Sequence, residues 1–230
     1  MLENLKKRVC EANILLKEYG LITLSWGNVS EIDRESGLVV IKPSGVSYDT
    51  MKPEDMVVVD LSGNVVEGEL KPSSDTPTHL ELYRAYPELV AVTHTHSRWA
   101  TIYAQSARDI PPLGTTHADL FFGAVPCTRP LTDEEIMTEY EHNTAKVIEE
   151  YHTAETIKSI PAVLVCSHGP FIFGNSAKQS VDNALVLEEV AMMAWHTETF
   201  NSEATLSDAL LRKHYLRKHG KDAYYGQKEK

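Results

Sequence analysis

The chain has 230 residues, of which 42% are hydrophobic and 24% are charged, and its 33 acidic and 22 basic residues give a formal charge of −11 at pH 7. This length suits one large domain or two small ones, and the composition excludes collagen, a coiled coil and a disordered chain. The acidic excess also argues against a nucleic-acid partner, because binding to phosphate backbones needs the opposite charge.

The cysteines and the N-terminus indicate the compartment. Three widely spaced cysteines without a CxxC pair are typical of a reducing environment rather than of a disulfide framework. Charged residues stand near the N-terminus where a signal peptide would have its apolar core. No apolar run approaches the roughly 20 residues that a membrane span requires. We therefore expect a cytoplasmic protein without a membrane partner.

The first half of the chain predicts helices and short strands in alternation. A helix is predicted from Leu2 to Tyr19, where apolar residues recur at i, i+3 and i+4 before Gly20. Short apolar runs separated by turn-forming residues then predict three strands, Leu38–Ile41, Met56–Val59 and Val65–Val66. A second helix is predicted from Thr76 to Tyr86, with a proline in its first turn.

The second half continues this alternation. Buried strands are predicted at Leu89–His96 and Ala162–Cys166. Between them lies a polar helix from Thr132 to His152, which a Thr-x-x-Glu capping box opens. The longest helix runs from about Ala177 to Phe200, and a basic tail begins at about Arg212.

The interleaving of helices and strands indicates the domain organisation. We find no internal repeat and no linker long enough to divide the chain, so residues 1–230 are predicted to form one layered α/β domain. Several strands are joined by short turns, which permits antiparallel pairing. The pattern alone leaves open whether the sheet is parallel or antiparallel.

A pair of histidines gives the strongest chemical signal. His94 and His96 stand two positions apart at the end of a predicted strand, where residues i and i+2 project from one face. Two imidazoles on one face can reach one cation. The alternative is that both histidines simply hydrogen-bond to neighbours, and the spacing alone does not decide between the two.

Two further residues would complete a metal site. His168 also follows an apolar strand, and Asp75 stands just before a predicted helix. Three histidines and a carboxylate are a good ligand set for Zn²⁺ or another first-row divalent metal. An aspartate before a helix is, however, usually an N-cap, so this alternative also stays open.

Three turn segments could hold a phosphate group. Lys42–Gly45 follows a strand, Ser73–Ser74 precedes a helix, and Gly27–Asn28 lies in a turn. Backbone N–H groups at turns and helix starts favour anions, and hydroxyl groups with one lysine would complete the cradle. The alternative is that these residues are ordinary turn formers.

Two residues are acid/base candidates by residue type alone. Asp119 lies in a Thr-Thr-His-Ala-Asp segment, and Tyr225 lies near the C-terminus. Taken alone, each residue fits a structural role or a place on the solvated surface better than a catalytic role.

Seven motifs in a fixed order carry a resemblance to a known family. They are Trp26–Ser30, Ile41–Gly45, Lys71–His79, His94–Ser97, Gly114–Asp119, His214–Gly220 and Ala223–Gln227. Together they resemble the L-ribulose-5-phosphate 4-epimerases of the class II (metal-dependent) aldolase/adducin-head superfamily. The resemblance covers nearly all of the chain, and several of the motifs are long and uncommon.

This resemblance implies a fold and an assembly. The expected fold is a three-layer α/β/α domain with a mostly antiparallel central sheet. The family forms C4 homotetramers with active sites between adjacent subunits, so a homotetramer is the expected assembly. One divalent metal per subunit is implied, with Zn²⁺ first and Mn²⁺ or Co²⁺ as alternatives.

The resemblance also implies roles for individual residues. The metal ligands would be Asp75, His94, His96 and His168. The phosphate cradle would be Gly27, Asn28, Lys42, Ser44, Gly45, Ser73 and Ser74. Asp119 and Tyr225 would be the acid/base pair, and Thr116, Glu141 and His214 would come from a neighbouring subunit.

The implied reaction interconverts L-ribulose 5-phosphate and D-xylulose 5-phosphate, by cleavage of the C3–C4 bond and re-addition to the other aldehyde face. The substrate is thus a phosphorylated ketopentose, as in arabinose catabolism, with ascorbate and other pentose routes left open. A phosphoketose aldolase is the main alternative. Aldolases of the superfamily carry a glutamate after the paired serines, and Asp75 stands there in this chain. A non-catalytic adducin-like binding domain is a further alternative, against which the intact ligand set argues.

Overall fold

The computed structural model describes residues 2–221 and 223–226. A seven-stranded sheet forms its centre, with strand order β4–β3–β2–β1–β5–β7–β6 and antiparallel pairing between all neighbours. The strands are β1 (Asn28–Asp33), β2 (Leu38–Ile41), β3 (Val57–Asp60), β4 (Val65–Glu67), β5 (Ala91–His94), β6 (Ala162–Val165) and β7 (Gly169–Gly174). The antiparallel sheet expected from the resemblance is confirmed.

Helices cover both faces of this sheet. They are α1 (Glu3–Glu18), α2 (Thr76–Ala85), α3 (Arg98–Gln105), α4 (Thr115–Ala118), α5 (Asp133–Met137), α6 (Tyr140–Glu149), α7 (Thr156–Ser159), α8 (Ala177–Phe200) and α9 (Asp208–His219). Helices α1, α3 and α8 pack on one face, and α2 and α6 pack on the other. The expected three-layer arrangement is therefore present.

The alternation of side chains along β2 shows how one strand contributes to both cores. Val40 belongs to the core beneath α1 and α8, whereas Val39 and Ile41 belong to the core beneath α2 and α6. Successive side chains of a strand point to opposite faces, and both faces are covered here. A continuous apolar run is the result, and it is the pattern from which β2 was predicted.

The helix predicted from Thr132 to His152 is wrong as a single element. Its capping box is present, with Glu135 N–H donating to Thr132 Oγ1, but α5 ends at Met137. The backbone leaves the helical region at Thr138 (φ −103°, ψ −100°), and the Thr138 hydroxyl donates to a carbonyl of α5. The chain then re-enters a helix at Tyr140, so two helices replace the predicted one.

No helix in the part of the chain that the structure describes combines the length and the apolar character needed to cross a bilayer.

Candidate metal centre

Three histidines converge near the C-terminal end of the interior strand β5. His94 is the last residue of β5, His96 lies two positions beyond it, and His168 lies in the turn between β6 and β7. Their potential ligand atoms all lie within 4.8 Å of one another, and Nε2 of His94 is 3.1 Å from Nε2 of His96. The sequence prediction of this convergence is confirmed, although His96 follows the strand rather than lying in it.

The pairing of β5 with β7 brings in the third histidine. In this register His94 lies opposite Phe171, so the turn that carries His168 stands beside the end of β5. The His94 and His168 ring centroids are 4.7 Å apart, and His94 stacks on Phe171 at 4.2 Å. Residues distant in sequence thus become neighbours through strand pairing.

A hydrogen bond to His94 and the burial of the other two rings leave these histidines in the state that could bind a metal. His94 Nδ1 lies 2.9 Å from the Pro170 carbonyl oxygen, which can only accept, so Nδ1 carries the hydrogen and Nε2 keeps its lone pair. Burial lowers the pKa of His96 to about 4, and the neighbouring His94 contributes to this shift. Burial and His94 also lower the pKa of His168. Both imidazoles are therefore neutral at pH 7, as ligation requires.

Asp75 is not an ordinary N-cap. It occupies the residue before α2, but its side chain makes no capping hydrogen bond and instead accepts from Asn28 Nδ2 at 2.6 Å. Burial raises the pKa of this carboxyl, but His94, His79 and the Asn28 amide outweigh that effect and hold it below its usual value. An anionic carboxylate thus lies beside the histidines. Among the described residues, the set of potential ligand atoms within 4.8 Å consists of the three histidines, so Asp75 as a fourth ligand stays a prediction.

The donor set and the unused polar atoms around it fit a divalent cation. Neutral imidazoles with a nearby carboxylate are ligands that Zn²⁺ and other first-row metals accept. Close by, Asn28 Oδ1 and His79 Nε2 are buried without a hydrogen-bond partner among the described residues. Buried polar atoms are usually hydrogen-bonded, so these two atoms are available to a bound group or its water ligands.

The three turn segments of the predicted phosphate cradle lie side by side. Ser73 N–H donates to the Lys42 carbonyl at 3.0 Å, and Ser44 N–H donates to the Lys71 carbonyl at 2.9 Å. The Asn28 amide donates to Ser73 Oγ at 3.1 Å and so joins the third segment. Gly45 lies in the first of these segments and Ser74 in the second, both exposed. The structure therefore brings all seven predicted cradle residues into one region.

Lys42 is a buried cation in this region. Its side chain is 2% exposed, and Nζ donates to the Pro43 carbonyl at 3.1 Å and lies 4.8 Å from the Tyr48 ring centroid. No carboxylate pairs with it in residues 2–221 and 223–226. Burial lowers the pKa of Lys42 to about 8, so the amine is still mostly protonated at pH 7. A buried cation without a counter-anion is suited to binding an anion.

Asn28 makes the cradle and the histidine cluster contiguous. Its amide donates both to Ser73 in the cradle and to Asp75 beside the histidines. Its backbone pairs with His94 in the β1–β5 register. A Cβ on the neighbouring Gly27 would lie 3.0 Å from the His94 carbonyl oxygen, so the two segments are in close contact.

The predicted acid/base residues form a second, separate cluster. Asp119 follows α4 and accepts from Arg217 at 2.9 Å, and its Oδ1 lies 3.1 Å from His214 Nδ1 on α9. Tyr225 is 60% exposed, and its ring lies under Arg217 and Lys218. Among the described residues, no hydrogen bond, ion pair or ring contact joins this cluster to the histidines.

The remaining two predicted residues lie on different helices. Thr116 is exposed on α4, three positions before Asp119. Glu141 lies in the first turn of α6, and its carbonyl accepts from the Thr78 hydroxyl at 2.6 Å. Their predicted roles beside a substrate stay predictions.

Two residues near the histidines were missed by the sequence analysis. Tyr140 Oη lies 3.2 Å from His168 Nδ1. His79 is fully buried, with Nδ1 2.7 Å from Ser30 Oγ, and burial lowers its pKa to about 3. His79 could have been found because it stands four positions after Asp75 on a predicted helix. Tyr140 gave no such signal, since the predicted helix ran through it.

Known proteins share this architecture. The family model described as class II aldolase and adducin N-terminal domain matches residues 7–195. Among solved structures, an L-fuculose 1-phosphate aldolase is similar at 27% identity over 92% of this chain and 94% of that chain, with a TM-score of 0.78.

Two further similar structures have lower identity. YgbL from Klebsiella pneumoniae, described as a putative aldolase/epimerase/decarboxylase, is 23% identical over 93% of this chain and 99% of that chain, with a TM-score of 0.73. The L-fuculose-1-phosphate aldolase of Thermus thermophilus is 24% identical over 88% of this chain and 98% of that chain, with a TM-score of 0.68. At these identities the likeness shows the fold alone.

Proposed function

The chain belongs to the class II aldolase and adducin N-terminal domain family, and from this premise we propose that it is a metal-dependent 4-epimerase that interconverts L-ribulose 5-phosphate and D-xylulose 5-phosphate. The proposal treats residues 1–230 as one cytoplasmic domain that assembles into a C4 homotetramer. The observation that carries it is the contiguity of the three-histidine cluster and the segment of the buried Lys42, which Asn28 and Ser73 connect through hydrogen bonds. One phosphorylated molecule can therefore contact both.

His94, His96 and His168 would hold the metal, with Asp75 as the fourth ligand. We propose Zn²⁺, with Mn²⁺ and Co²⁺ as alternatives that the same donors accept. When bound, the cation supplies Lewis-acid polarisation of carbonyl and hydroxyl oxygens. The Pro170 carbonyl and the Asn28 amide hold His94 and Asp75 in position before the substrate arrives.

Lys42 and the cradle would hold the substrate phosphate. The lysine provides the charge that the phosphate needs inside a protein of net charge −11. The hydroxyl groups of Ser44 and Ser74 and the backbone N–H of Gly45 would complete the cradle, whereas the Ser44 N–H already donates to the Lys71 carbonyl. Because the phosphate stays bound, the aldehyde fragment formed from C4 and C5 can rotate without leaving the site.

The chemistry of the substrate dictates a cleavage rather than a direct proton transfer. The hydrogen on C4 is β to the C2 carbonyl and is not acidic. A base therefore removes the proton of the C4 hydroxyl, the C3–C4 bond breaks, and its electron pair forms the enediolate of dihydroxyacetone while C4 becomes the aldehyde carbon of glycolaldehyde phosphate. Rotation of the aldehyde and re-addition of C3 to its other face, with return of a proton to the C4 oxygen, give the epimer.

Proton transfer on both faces of the aldehyde requires two groups, and we assign them to Asp119 and Tyr225. Within the described part of one chain, both residues lie against α9, and no hydrogen bond, ion pair or ring contact joins them to His94, His96 or His168. We therefore propose that an adjacent subunit provides them, together with Thr116 and His214 and with Glu141 as a weaker candidate. Removal of one such group should lower the rate by roughly 10²–10⁴-fold.

An aldolase is the second candidate, favoured by the 27% identity with an L-fuculose 1-phosphate aldolase. Asp75 supports the epimerase instead, because the shorter carboxylate replaces the glutamate that resembles the base of the aldolases. Its bond to Asn28 and its proximity to the histidines suit a ligand better than a mobile base.

Incubation with L-ribulose 5-phosphate tests the proposal. We expect D-xylulose 5-phosphate without release of glycolaldehyde phosphate, and we expect chelation to stop the reaction. Tyr225→Phe should lower turnover and leave the metal content unchanged, whereas Tyr151→Phe, the same change at an exposed tyrosine, should have no effect.

Two outcomes would overturn the epimerase assignment. Accumulation of free glycolaldehyde phosphate without the epimer, or release of an aldehyde from L-fuculose 1-phosphate, would identify an aldolase. No bound metal and no reaction with either substrate would identify a binding domain. Wild-type turnover in Tyr225→Phe would show that the acid/base assignment alone is wrong.

A further inference from the structure

A tyrosine outside all the predicted motifs contacts one of the metal-binding histidines. Tyr140 is the first residue of α6, and its hydroxyl lies 3.2 Å from Nδ1 of His168. The two ring centroids are 6.1 Å apart with an interplanar angle of 33°. Burial raises the pKa of Tyr140, and Asp75 raises it further, so the phenol stays protonated at neutral pH and lies within electrostatic reach of Asp75.

The break between α5 and α6 and one hydrogen bond fix the position of Tyr140. A continuous helix through residue 138 would change the direction in which residue 140 points. The buried Thr78 donates through its hydroxyl to the Glu141 carbonyl at 2.6 Å and so ties the first turn of α6 to α2. Since α2 begins immediately after Asp75, one helix fixes both the carboxylate and the tyrosine.

The contact matches the environment of the other oriented histidine. A histidine that donates its Nδ1 hydrogen to an oxygen presents the Nε2 lone pair to a metal, and the acceptor fixes the ring. The Pro170 carbonyl does this for His94, at 2.9 Å. The Tyr140 hydroxyl stands in the corresponding place for His168. In the described part of the chain, no other side chain hydrogen-bonds to that imidazole.

We propose that Tyr140 is a positioning residue for the metal centre. It holds His168 in the tautomer and the orientation that bind the cation. The proposal rests on the metal centre of the proposed function but not on the identity of the reaction. Its test therefore measures metal binding in the absence of substrate.

Tyr140→Phe keeps the ring and removes the acceptor oxygen. Loss of such a partner lowers metal affinity by about 10–100-fold, and we expect that loss for Zn²⁺ in a competition titration against a chromophoric chelator. The visible spectrum of the Co²⁺ form should also change, because His168 is released from its fixed orientation. Tyr151→Phe is the matched control and should leave both quantities unchanged.

A second pair of variants tests the placement of Tyr140 without changing it. Thr78→Val removes the hydroxyl that binds the Glu141 carbonyl and should weaken Zn²⁺ binding. Thr78→Ser keeps the hydroxyl and should bind Zn²⁺ as tightly as the wild type. Urea unfolding of the metal-free proteins shows whether each variant is folded. If Tyr140→Phe were unfolded, the Thr78 pair would decide the matter.

The results separate this proposal from the proposed function. A wild-type protein that binds no divalent metal would overturn both. A wild-type protein that binds Zn²⁺, with unchanged affinity and an unchanged Co²⁺ spectrum in Tyr140→Phe, would overturn only the role of Tyr140. Equal losses in Tyr140→Phe and Tyr151→Phe would also overturn it, since the effect would not depend on the contact with His168.

Discussion

Replacement of Lys42 by an uncharged residue should raise the free energy of unfolding and weaken the binding of a phosphorylated substrate. The native protein holds this lysine buried beneath Tyr48 without a carboxylate partner among the described residues. Lys42→Met keeps most of the length of the unbranched side chain and removes the charged amine. We expect the variant to bind a phosphorylated ketopentose about 10–100-fold more weakly, because a charge-assisted hydrogen bond to phosphate is lost.

The pKa of Lys42 sets the magnitude of the effect on stability. Burial lowers it from 10.5 to about 8, and each pKa unit corresponds to 1.36 kcal/mol, so the buried charge costs the native state about 3 kcal/mol at pH 7. The bond to the Pro43 carbonyl and the contact with the Tyr48 ring offset part of this cost. Between pH 8 and 10.5 the unfolded chain holds a proton that the native protein has released, so wild-type stability rises with pH.

Urea unfolding at pH 7, 8, 9 and 10, with a chelator present, measures this linkage. The free energy of unfolding of the wild type should rise relative to that of Lys42→Met by about 2–3 kcal/mol from pH 7 to pH 10. Lys71→Met, the same change at an exposed lysine, should follow the wild type. Parallel pH profiles for wild type and Lys42→Met would show that burial does not lower the pKa of Lys42. Unchanged affinity for the phosphorylated sugar would show that Lys42 does not bind the phosphate.

Three further predictions concern the surroundings of the site. Gly37→Ala (φ +71°) should lower the free energy of unfolding by roughly 1 kcal/mol, and Gly27→Ala (φ +118°) should lower it by at least twice as much. The reason is that a Cβ at Gly27 also meets the His94 carbonyl at 3.0 Å, whereas a Cβ at Gly37 has open space. Equal losses in urea unfolding would contradict this prediction. Zn²⁺ at 100 times its Kd should raise the free energy of unfolding by about 2.7 kcal/mol and the Tm by roughly 5–10 °C, and a scan with no shift would count against the site. Arg217 and its neighbours outweigh burial and lower the pKa of Asp119, so its ion pairs stabilise above pH 4 and are lost on acidification. Asp119→Asn should therefore lose about 1 kcal/mol at pH 7, and a loss that persisted undiminished as the pH falls below 4 would contradict the pairing.

The sequence was most informative where local pattern and tertiary environment agree. The strand Leu38–Ile41 and the helix Ala177–Phe200 have the predicted bounds, because an apolar run or an apolar stripe is buried as such. By contrast, β1 and β7 were not predicted. In β1, Ser30 and Glu31 are buried among tertiary partners that no local pattern shows, and β7 begins with Gly169-Pro170, a typical turn sequence.

For the candidate site, the sequence indicated which histidines come together but not which elements bring them together. The His-x-His pair was expected on one strand face, but β5 ends at His94 and the neighbouring β7 brings His168 to it. The sequence left open whether Asp75 is an N-cap or a ligand. The structure shows that its side chain accepts a hydrogen bond from Asn28 and does not cap α2. The contacts of Tyr140 depend on a helix break at Thr138, which the sequence did not reveal because the segment contains neither glycine nor proline.

The pairing of β5 with β7 also bears on when a metal can bind during folding. The carbonyl that orients His94 belongs to Pro170, 76 positions further along the chain. A loop of this length must close before the ligands meet, and contacts of such separation tend to form late. We therefore expect a bound ion to change the folding rate little, because its ligands meet only after these strands have paired. Its stabilisation would then appear as slower unfolding, so the metal-loaded protein would stay folded for longer.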